Sequence, residues 1–408
     1  MAKKVRKRSN GEGTIVPKAN GSWEARILIT DPITGESKIR TRCRKTKAEV
    51  KAWLDDIKVK LHTGQYVGEQ KMTVREWLNT WLNLYAMKKI RRTTFESYES
   101  IIKTHIIPSI GNIRLQSLRK DQIQKFYNDK QENGRADGKG GLSSTTINYM
   151  HAILKQALQQ AVDDGLVYKN IATSVVKPSK VRFHPQTLNT EQVKKFLQSN
   201  KGSKYYSAFL VECYTGLRRG ELLGLRWKDI DLEGKLLSVQ QGLVRTKNGL
   251  SINEPKTTAS RRTIPLTDEV VQELKQHRKR QLEERLLTGS SYYDLDLVFS
   301  SHIGKPLDPR SFTKRFQEGL RVAGLPEIRF HDMRHTHATI LLEMKQNVKV
   351  IQERLGHTTI RMTLDTYSHM LPGMQEQATE AGNRGIKQGV RNIRLGKELA
   401  CCASSFCI

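Results

Sequence analysis

The chain is organised around the stretch HDMRHTHATILLEMKQNVKVIQERLGHTTIRMTLDTYSH, residues 331–369. Its apolar residues recur at helical spacing, which predicts a helix over 333–344. Asn347 is a candidate N-cap for a second helix, and Gly356 lies where that helix would end. A third helix is predicted from an apolar stripe formed by Ile360, Leu364, Tyr367 and Leu371. Three helices broken at these two points would bring four side chains to one pocket: His331, Arg334, His357 and Tyr367.

These side chains suit the chemistry of a phosphodiester. Arginine is a permanently charged fork that binds non-bridging oxygens, and histidine can donate to them or shuttle a proton. The phenol of a tyrosine can attack phosphorus and form a covalent intermediate. Two other interpretations stay open: Tyr367 is only an aromatic member of its stripe, or His331 and His335 bind zinc from one helix face. Arg334 lies between those histidines and the cysteines lie elsewhere, so we expect no metal site.

A second stretch, TGLRRGELLGLRW at 215–227, places Arg218 and Arg219 after Gly216, where a helix break can aim a side chain into a cleft. TGLRRGEL, HDMRHTHAT and LGHTTIRMTLDTYSH, in that order, resemble the tyrosine recombinase (phage integrase) family over about residues 187–372. The resemblance gives five side chains a family counterpart. Arg218 matches the first arginine, His331 and Arg334 the H-x-x-R pair, His357 the LGH histidine, and Tyr367 the nucleophile.

The family also has a lysine in a β-hairpin. The segment EPKTTASRRTIPL, residues 254–266, is similar to that hairpin. The resemblance therefore makes Lys256 the candidate lysine, with Lys247 as the alternative.

The resemblance implies a mechanism. Tyr367 attacks the scissile phosphorus and leaves a 3′-phosphotyrosine and a free 5′-hydroxyl. The other site residues assist: Arg218, Arg334 and His357 bind the non-bridging oxygens, Lys256 protonates the leaving 5′-oxygen, and His331 assists proton transfer. No metal or nucleotide cofactor is implied, because the covalent bond stores the energy for religation. Strand exchange would run on a homotetramer through a Holliday junction.

The composition favours a polyanionic partner. Lys and Arg number 70 against 41 Asp and Glu, a net charge of +29. An anionic membrane is the other candidate, but no apolar run approaches the roughly 20 residues of a membrane span. The basic start MAKKVRKRSN is followed by no apolar signal-peptide core. We therefore expect double-stranded DNA as the partner, no membrane, and a cytoplasmic location at the nucleoid of a bacterial host. The five cysteines form no paired framework, which indicates reduced thiols.

The order of predicted elements suggests four parts: 1–63, 71–178, 187–373 and a tail, 374–408. The first part reads as three short strands, with Asn20 and Gly21 in a hairpin turn, and a helix from about Lys47. It is similar to the arm-binding domain of lambda-type and conjugative-transposon integrases. Alternation puts three arginines on one strand face that could enter a DNA groove: Arg40, Arg42 and Arg44. The alternative is a solvated basic face.

The second part reads as a four-helix module. Capping-box patterns begin at Thr73 and Thr93, and further helices are predicted near 120–132 and 144–163. The module matches the family's core-binding domain; a protein-interaction bundle is the alternative.

The third part corresponds, by the family resemblance, to the catalytic domain. It is predicted to begin with a helix near Thr190. Strands are predicted at 236–244, 251–266 and 295–301, and a helix at 311–324. The expected fold class is mixed and mainly α, with a small antiparallel sheet. In the tail, 374–395 would dock on a neighbouring protomer.

The expected function is that of an integrase that inserts and excises a phage or mobile element. One rival is a type IB topoisomerase, which shares the nucleophile but needs no second DNA-binding module. Another is a non-catalytic DNA-binding regulator that kept the scaffold. An excisionase and a host DNA-bending protein are further candidate partners. Target sequences depend on side-chain placement that residue types alone do not fix.

Overall fold

The computed structural model describes residues 12–30, 37–63, 66–67, 70–135, 137–179, 185–254 and 261–367; the side chains at 362 and 365–367 are not described. The chain forms two compact units, Met1–Val181 and Arg182–Ile408. The predicted tail, which holds three of the five cysteines, lies outside the described residues, and so does Leu371 of the predicted third-helix stripe. The division into four parts stays a prediction.

The amino-terminal part is a three-stranded antiparallel sheet with one helix, as the sequence predicts. Its strands are β1 (Thr14–Pro17), β2 (Trp23–Thr30) and β3 (Ser37–Arg44), in the order β1-β2-β3. Helix α1 (Lys47–His62) starts at a capping box formed by Thr46 and Glu49. Its apolar stripe packs on β2, and the small core consists of Ala25, Ile27, Ile29, Val50, Leu54 and Ile57.

The strand register changes the interpretation of the three arginines on β3. Arg40 lies opposite Ile27, Arg42 opposite Ala25, and Arg44 opposite Trp23. The three share one face, as alternation predicts. It is the face where β2 buries its apolar residues against α1, because directly paired residues point to the same side of a sheet. Alternation alone does not reveal that these arginines share the face on which α1 packs, and their contact with a DNA groove stays a prediction.

The helical part of the first unit is an α-bundle. Its helices are α2 (Val74–Thr80), α3 (Arg92–Ile101), α4 (Ile107–Ile110), α5 (Lys120–Asn133) and α6 (Ser144–Asp163). π-Helical turns extend α2 through Trp81–Ala86 and join α3 to α4 through Ile102–Ile106. The Trp77 indole donates to the Ala157 carbonyl at 2.8 Å, which ties α2 to α6.

One of the two predicted capping boxes in this bundle is present. Thr73 and Glu76 exchange the expected bonds at the start of α2. The box predicted at Thr93 is wrong. Helix α3 starts at Arg92 without a side-chain cap, and Glu96 pairs with Arg92 at 3.1 Å instead.

The second unit is mainly helical with two small β elements. Its helices are α7 (Thr190–Ser199), α8 (Tyr206–Thr215), α9 (Arg219–Leu223), α10 (Asp268–Thr288), α11 (Pro309–Val322), α12 (Phe330–Glu343), α13 (Val348–Leu355) and α14 (Ile360–Tyr367). One sheet has the order β4-β5-β8, formed by Ile230–Asp231, Leu236–Val239 and Arg262–Pro265. A separate hairpin pairs β6 (Gly242–Thr246) with β7 (Gly249–Asn253).

The strand predicted at 295–301 is wrong. That segment makes only isolated bridges, Arg226 to Leu297 and Ser300 to Pro306. The mixed, mainly α fold class is confirmed.

A cluster of phenylalanines fixes the helices that carry the candidate site. Ring centroids lie 5.1 to 6.1 Å apart between residues of α7, α8, α11 and α12: Phe196, Phe209, Phe312, Phe316 and Phe330. Such aromatic contacts stabilise more than their buried area alone. They hold α8 and α12 side by side. Among the described residues, no helix is long and apolar enough to cross a membrane.

Candidate active site

Two left-handed glycines end the helices around the site. Gly216 terminates α8 at φ 61°, and Gly356 terminates α13 at φ 64°. A Cβ atom on Gly216 would lie 2.9 Å from His337 Cδ2, and one on Gly356 would lie 3.0 Å from Arg262 Nη1. Conformation and space therefore both favour glycine here. The predicted breaks at Gly216 and Gly356, and the predicted N-cap at Asn347, are confirmed.

Arg334 on α12 joins these two helix ends. Its side chain is buried, with 1% of the residue exposed. Its Nη1 donates to the Gly216 carbonyl at 2.8 Å, and its Nη2 donates to the Leu355 carbonyl. Carbonyl groups at a helix C-terminus carry the negative end of the helix dipole. They offset part of the guanidinium charge without supplying a full counter-charge.

Arg218 follows the end of α8 in the chain, and its side chain contacts the end of α13. Its Nη2 donates to the Gly356 carbonyl at 2.9 Å, and its Nη1 donates to Glu221 Oε1 at 2.7 Å. About a third of its side chain, 36%, is exposed. The site therefore has one guanidinium that is buried and one that reaches solvent.

Glu221 is shared by two arginines. Arg262 Nη2 donates to Glu221 Oε2 at 2.9 Å, opposite the bond from Arg218, and Arg262 Nε donates to the Arg354 carbonyl at 2.7 Å. Burial opposes ionisation of Glu221, but the hydrogen bond and charge of Arg262 and the charge of Arg218 lower its pKa to about 2. Burial, and then the charges of Arg218 and Arg262, lower the pKa of Arg334 to about 9, which leaves it charged at neutral pH.

The histidines of the site are neutral at pH 7. Burial and the charges of Arg334 and Arg218 lower the pKa of His331, and they lower the pKa of His357 to about 3. Burial and the neighbouring His331 lower the pKa of His335 to about 4. The rings of His331 and His335 meet edge to face, 5.1 Å apart. His357 Nδ1 lies 2.9 Å from Thr363 Oγ1. These imidazoles can donate one hydrogen bond or accept a proton.

His337 and Arg354 form a frame behind the site. Arg354 Nε donates to His337 Nε2 at 3.1 Å, and Arg354 Nη2 donates to the Tyr214 carbonyl at 2.8 Å. Because arginine can only donate, Nε2 is the acceptor and the ring proton lies on Nδ1. Nδ1 then donates to the Cys213 carbonyl at 3.0 Å. Burial and the charge of Arg354 lower the pKa of His337 to about 3, in keeping with this neutral form.

The structure brings together four of the six predicted site residues: Arg218, His331, Arg334 and His357. After burial, the charges of these two arginines have the largest effect on the pKa of both histidines. Tyr367 is the last residue of α14, and its side chain is not described. Lys256 lies outside the described residues, and Lys247 lies exposed in the turn between β6 and β7.

Two features of the site differ from what the sequence predicts. The predicted stripe on α14 is half exposed, 40% at Ile360 and 38% at Leu364, whereas Thr363 is buried. Glu221 and Arg262 were missed. The Arg-x-x-Glu spacing within TGLRRGEL indicates the first, but nothing local indicates an arginine 41 residues further on. Over the described ranges, no group of three or more His, Cys, Asp or Glu residues is arranged to hold a metal.

Two parts of the chain match family models. Residues 186–373 match the phage integrase family, and residues 73–131 match the phage integrase N-terminal SAM-like domain. A tyrosine recombinase XerC-like protein of Caldanaerobacter subterraneus subsp. tengcongensis is 33% identical over 358 residues, which cover 83% of this chain and 90% of the relative.

Solved structures are similar as well. The Tn1549 transposon integrase in complex with a circular intermediate DNA is 25% identical, with a TM-score of 0.64 over 76% of this chain and 99% of that one. The lambda integrase tetramer bound to a Holliday junction shares the fold, with 19% identity and a TM-score of 0.53 over 87% and 97% of the two chains. The chain therefore belongs to the phage integrase family and is a site-specific recombinase of the tyrosine type.

Proposed function

We propose that this recombinase cuts and rejoins double-stranded DNA through a 3′-phosphotyrosine at Tyr367, and so integrates and excises the mobile element that encodes it. The observation that carries the proposal is the charge balance at the two helix ends. Arg218 and Arg262 share one ionised carboxylate, Glu221, and Arg334 donates to two carbonyl groups beside them. The cluster keeps a net positive charge, which a phosphodiester would neutralise.

Arg218 and Arg334 have further N–H groups that could bind a phosphate. A guanidinium has five N–H groups. Among the described residues, Arg334 uses two of them on carbonyl groups, and Arg218 uses two on Glu221 and Gly356. Within the described part of the chain, three N–H groups on each arginine have no partner and could donate to non-bridging oxygens. In a buried, low-dielectric site such preorganised donors stabilise the transition state strongly.

The remaining roles follow from the family resemblance and the protonation states. The Tyr367 oxygen forms the new bond to phosphorus, and the bond to the 5′-oxygen breaks. Lys256, with Lys247 as the alternative, gives the leaving 5′-oxygen its proton. Neutral His331 is able to accept the phenol proton, and neutral His357 donates to a non-bridging oxygen. Attack of a 5′-hydroxyl on the phosphotyrosine reverses the step.

The assembly that we propose has two kinds of DNA site. Residues 71–178 and 187–373 would bind core sites and residues 1–63 arm sites. Strand exchange would need a homotetramer on DNA, and the similarity to an integrase tetramer on a Holliday junction supports this. An excisionase and a host DNA-bending protein would set direction, and the complex would act at the nucleoid in the cytoplasm of a bacterial host.

The test is the substitution Tyr367→Phe, which removes only the phenolic oxygen. Footprinting across the ends of the element that encodes the chain first defines the core site. A nicked suicide duplex of that site should then trap wild-type protein as a covalent band on a denaturing gel. With Tyr367→Phe the band should fall to background while DNA binding remains, because no phosphotyrosine can form.

The matched control is Tyr293→Phe, an exposed tyrosine whose ring contacts Lys305 away from the site. This variant should give the wild-type band. A covalent band that persists in Tyr367→Phe would remove Tyr367 as the nucleophile. Recombinant products from two core duplexes would separate a recombinase from an enzyme that only relaxes DNA.

A further inference from the structure

Glu212 is a buried acid that the proposed mechanism does not use. It lies in the last turn of α8, and its backbone carbonyl accepts a hydrogen bond from Gly216 N at 2.8 Å. The residue is 1% exposed, and neither carboxyl oxygen has a hydrogen-bond partner among the described residues. Burying an ionised carboxylate without partners costs several kcal/mol, so such a group normally keeps its proton.

Three charged groups act on Glu212. Arg334 on α12 reaches the same end of α8, where its Nη1 donates to the Gly216 carbonyl at 2.8 Å. Its charge acts most strongly on Glu212, followed by the charges of Glu221 on α9 and Arg262 on β8. Burial nevertheless dominates and raises the pKa of Glu212 well above its usual value. The negative end of the α8 dipole disfavours a carboxylate at this position too.

The other groups on helices packed against α8 are already engaged. On α10, Glu273 accepts from Ser207 at 2.7 Å and from Arg280 at 2.6 Å, and Glu269 accepts from the Tyr214 hydroxyl at 2.5 Å. His337 on α12 is neutral and bonded to the Cys213 carbonyl. From α7, Phe196 contacts Phe209. Arg334 is therefore the cation with which an ionised Glu212 would interact most strongly.

We propose that Glu212 is a positioning residue whose proton sets how much of the Arg334 charge a DNA phosphate meets. Protonated, Glu212 leaves the guanidinium charge to the phosphodiester. Ionised, it neutralises Arg334 from within the protein and weakens phosphate binding. The inference rests on the proposed function, in which Arg334 binds the scissile phosphate.

Linkage gives the proposal a measurable consequence. If an ionised Glu212 weakens phosphate binding, phosphate binding must disfavour ionisation of Glu212 by the same factor. DNA binding at a pH where Glu212 is ionised then takes up one proton. Burial lowers the pKa of Arg334 to about 9, so below about pH 8 the carboxyl rather than the guanidinium is the group expected to change charge.

The experiment measures how strongly the charge on the scissile phosphate contributes to binding. Full-length protein carrying Tyr367→Phe is titrated with two duplexes from about pH 5 to about pH 8, where Arg334 keeps its charge. One is the mapped core duplex, and the other is the same duplex with a neutral methylphosphonate at the scissile position. The ratio of the two dissociation constants reports recognition of that single charge. We expect the preference for the charged duplex to fall by up to about tenfold per pH unit once Glu212 ionises, as for a single proton.

Adding Glu212→Gln should remove this fall, because the amide keeps the shape and cannot ionise. The matched control is Glu273→Gln on the neighbouring helix, which should keep the pH dependence of the parent protein. A fall of the same size in Glu212→Gln would assign the titration to another group and overturn the proposal. A preference that does not change with pH in the parent protein would overturn it as well.

Infrared difference spectroscopy gives a second readout that does not require the variant to fold. At a pH where Glu212 is ionised in the free protein, binding of the charged duplex should increase the band of a protonated carboxyl, and binding of the methylphosphonate duplex should not. Equal spectra for the two duplexes would contradict the proposal. The covalent band of wild-type protein at neutral pH is independent of this outcome, so the inference can fail while the proposed function stands.

Discussion

At the scale of single residues, one carboxylate decides where two arginines point. Glu221 holds Arg218 at the mouth of the site and Arg262 at its back, both through bonds under 3 Å. Glu221 also accepts from the Arg218 backbone N–H at 3.0 Å, so the start of α9 and the site share one anchor. A buried carboxylate with this many donors is stabilised in its ionised form.

Glu221 should therefore contribute to the acid limb of the stability curve, which is the fall in stability as the pH decreases. Its folded-state pKa is lowered from 4.5 to about 2, so its contribution is present above about pH 4.5 and is lost as the pH falls toward 2. The shift corresponds to about 3 kcal/mol. Thermal melts of Glu221→Gln should show a lower Tm at neutral pH and a flatter acid limb.

The control for this prediction is Glu233→Gln, an exposed partner of Lys275. It should melt like the wild type throughout the acid range. Glu212 does not confuse the comparison. Its pKa is raised, so its effect on stability lies above the ordinary carboxyl pKa of 4.5, and there it lowers stability as the pH rises. An unchanged acid limb in Glu221→Gln would show that the two arginines do not depend on this carboxylate.

At the scale of elements, most helix boundaries follow from signals within one turn, although the capping box predicted at Thr93 is absent, whereas long-range pairings do not follow from the sequence. The cap at Asn347 and the breaks at Gly216 and Gly356 depend only on backbone preferences within one turn, so the sequence predicts them. The face on which Arg42 lies depends on strand pairing, which alternation does not reveal. The pairing of Arg262 with Glu221 depends on a fold contact across 41 residues.

The two left-handed glycines should be sensitive to the smallest substitution. Gly216→Ala places a methyl group 2.9 Å from His337 and forces an L-residue to φ 61°, which alone costs about 1–2 kcal/mol. Gly356→Ala has slightly more room, with 3.0 Å to Arg262 Nη1, so it should lower the Tm somewhat less than Gly216→Ala. Because both carbonyls accept from site arginines, cleavage should fall in both variants.

Gly202→Ala is the matched control, since a Cβ there meets nothing within 4 Å. Its melting temperature and cleavage rate should stay near those of the wild type. If Gly216→Ala behaved like Gly202→Ala, the end of α8 would not be the rigid support for Arg334 that its hydrogen bonds indicate.

At the scale of the whole molecule, the amino-terminal sheet and helix have a core of their own. That core involves α1 and β2, and it is separate from the core of the helical bundle that follows. With the net charge of +29, such a module is suited to a second DNA contact that acts apart from the catalytic site. We expect its open sheet face, opposite the face of Arg42, to take part in that contact.

Deletion of residues 1–63 should therefore separate two activities. Cleavage of a short core duplex should remain, because the bundle and the second unit keep their own cores. Integration should be lost, because no part of the truncated protein would bind the second DNA site.

Full-length Thr41→Glu tests the same idea without truncation. Thr41 is exposed on the open sheet face, so an added negative charge there should weaken arm binding through repulsion of phosphates. Integration by the truncated protein at the full-length rate would show that one kind of DNA site is sufficient.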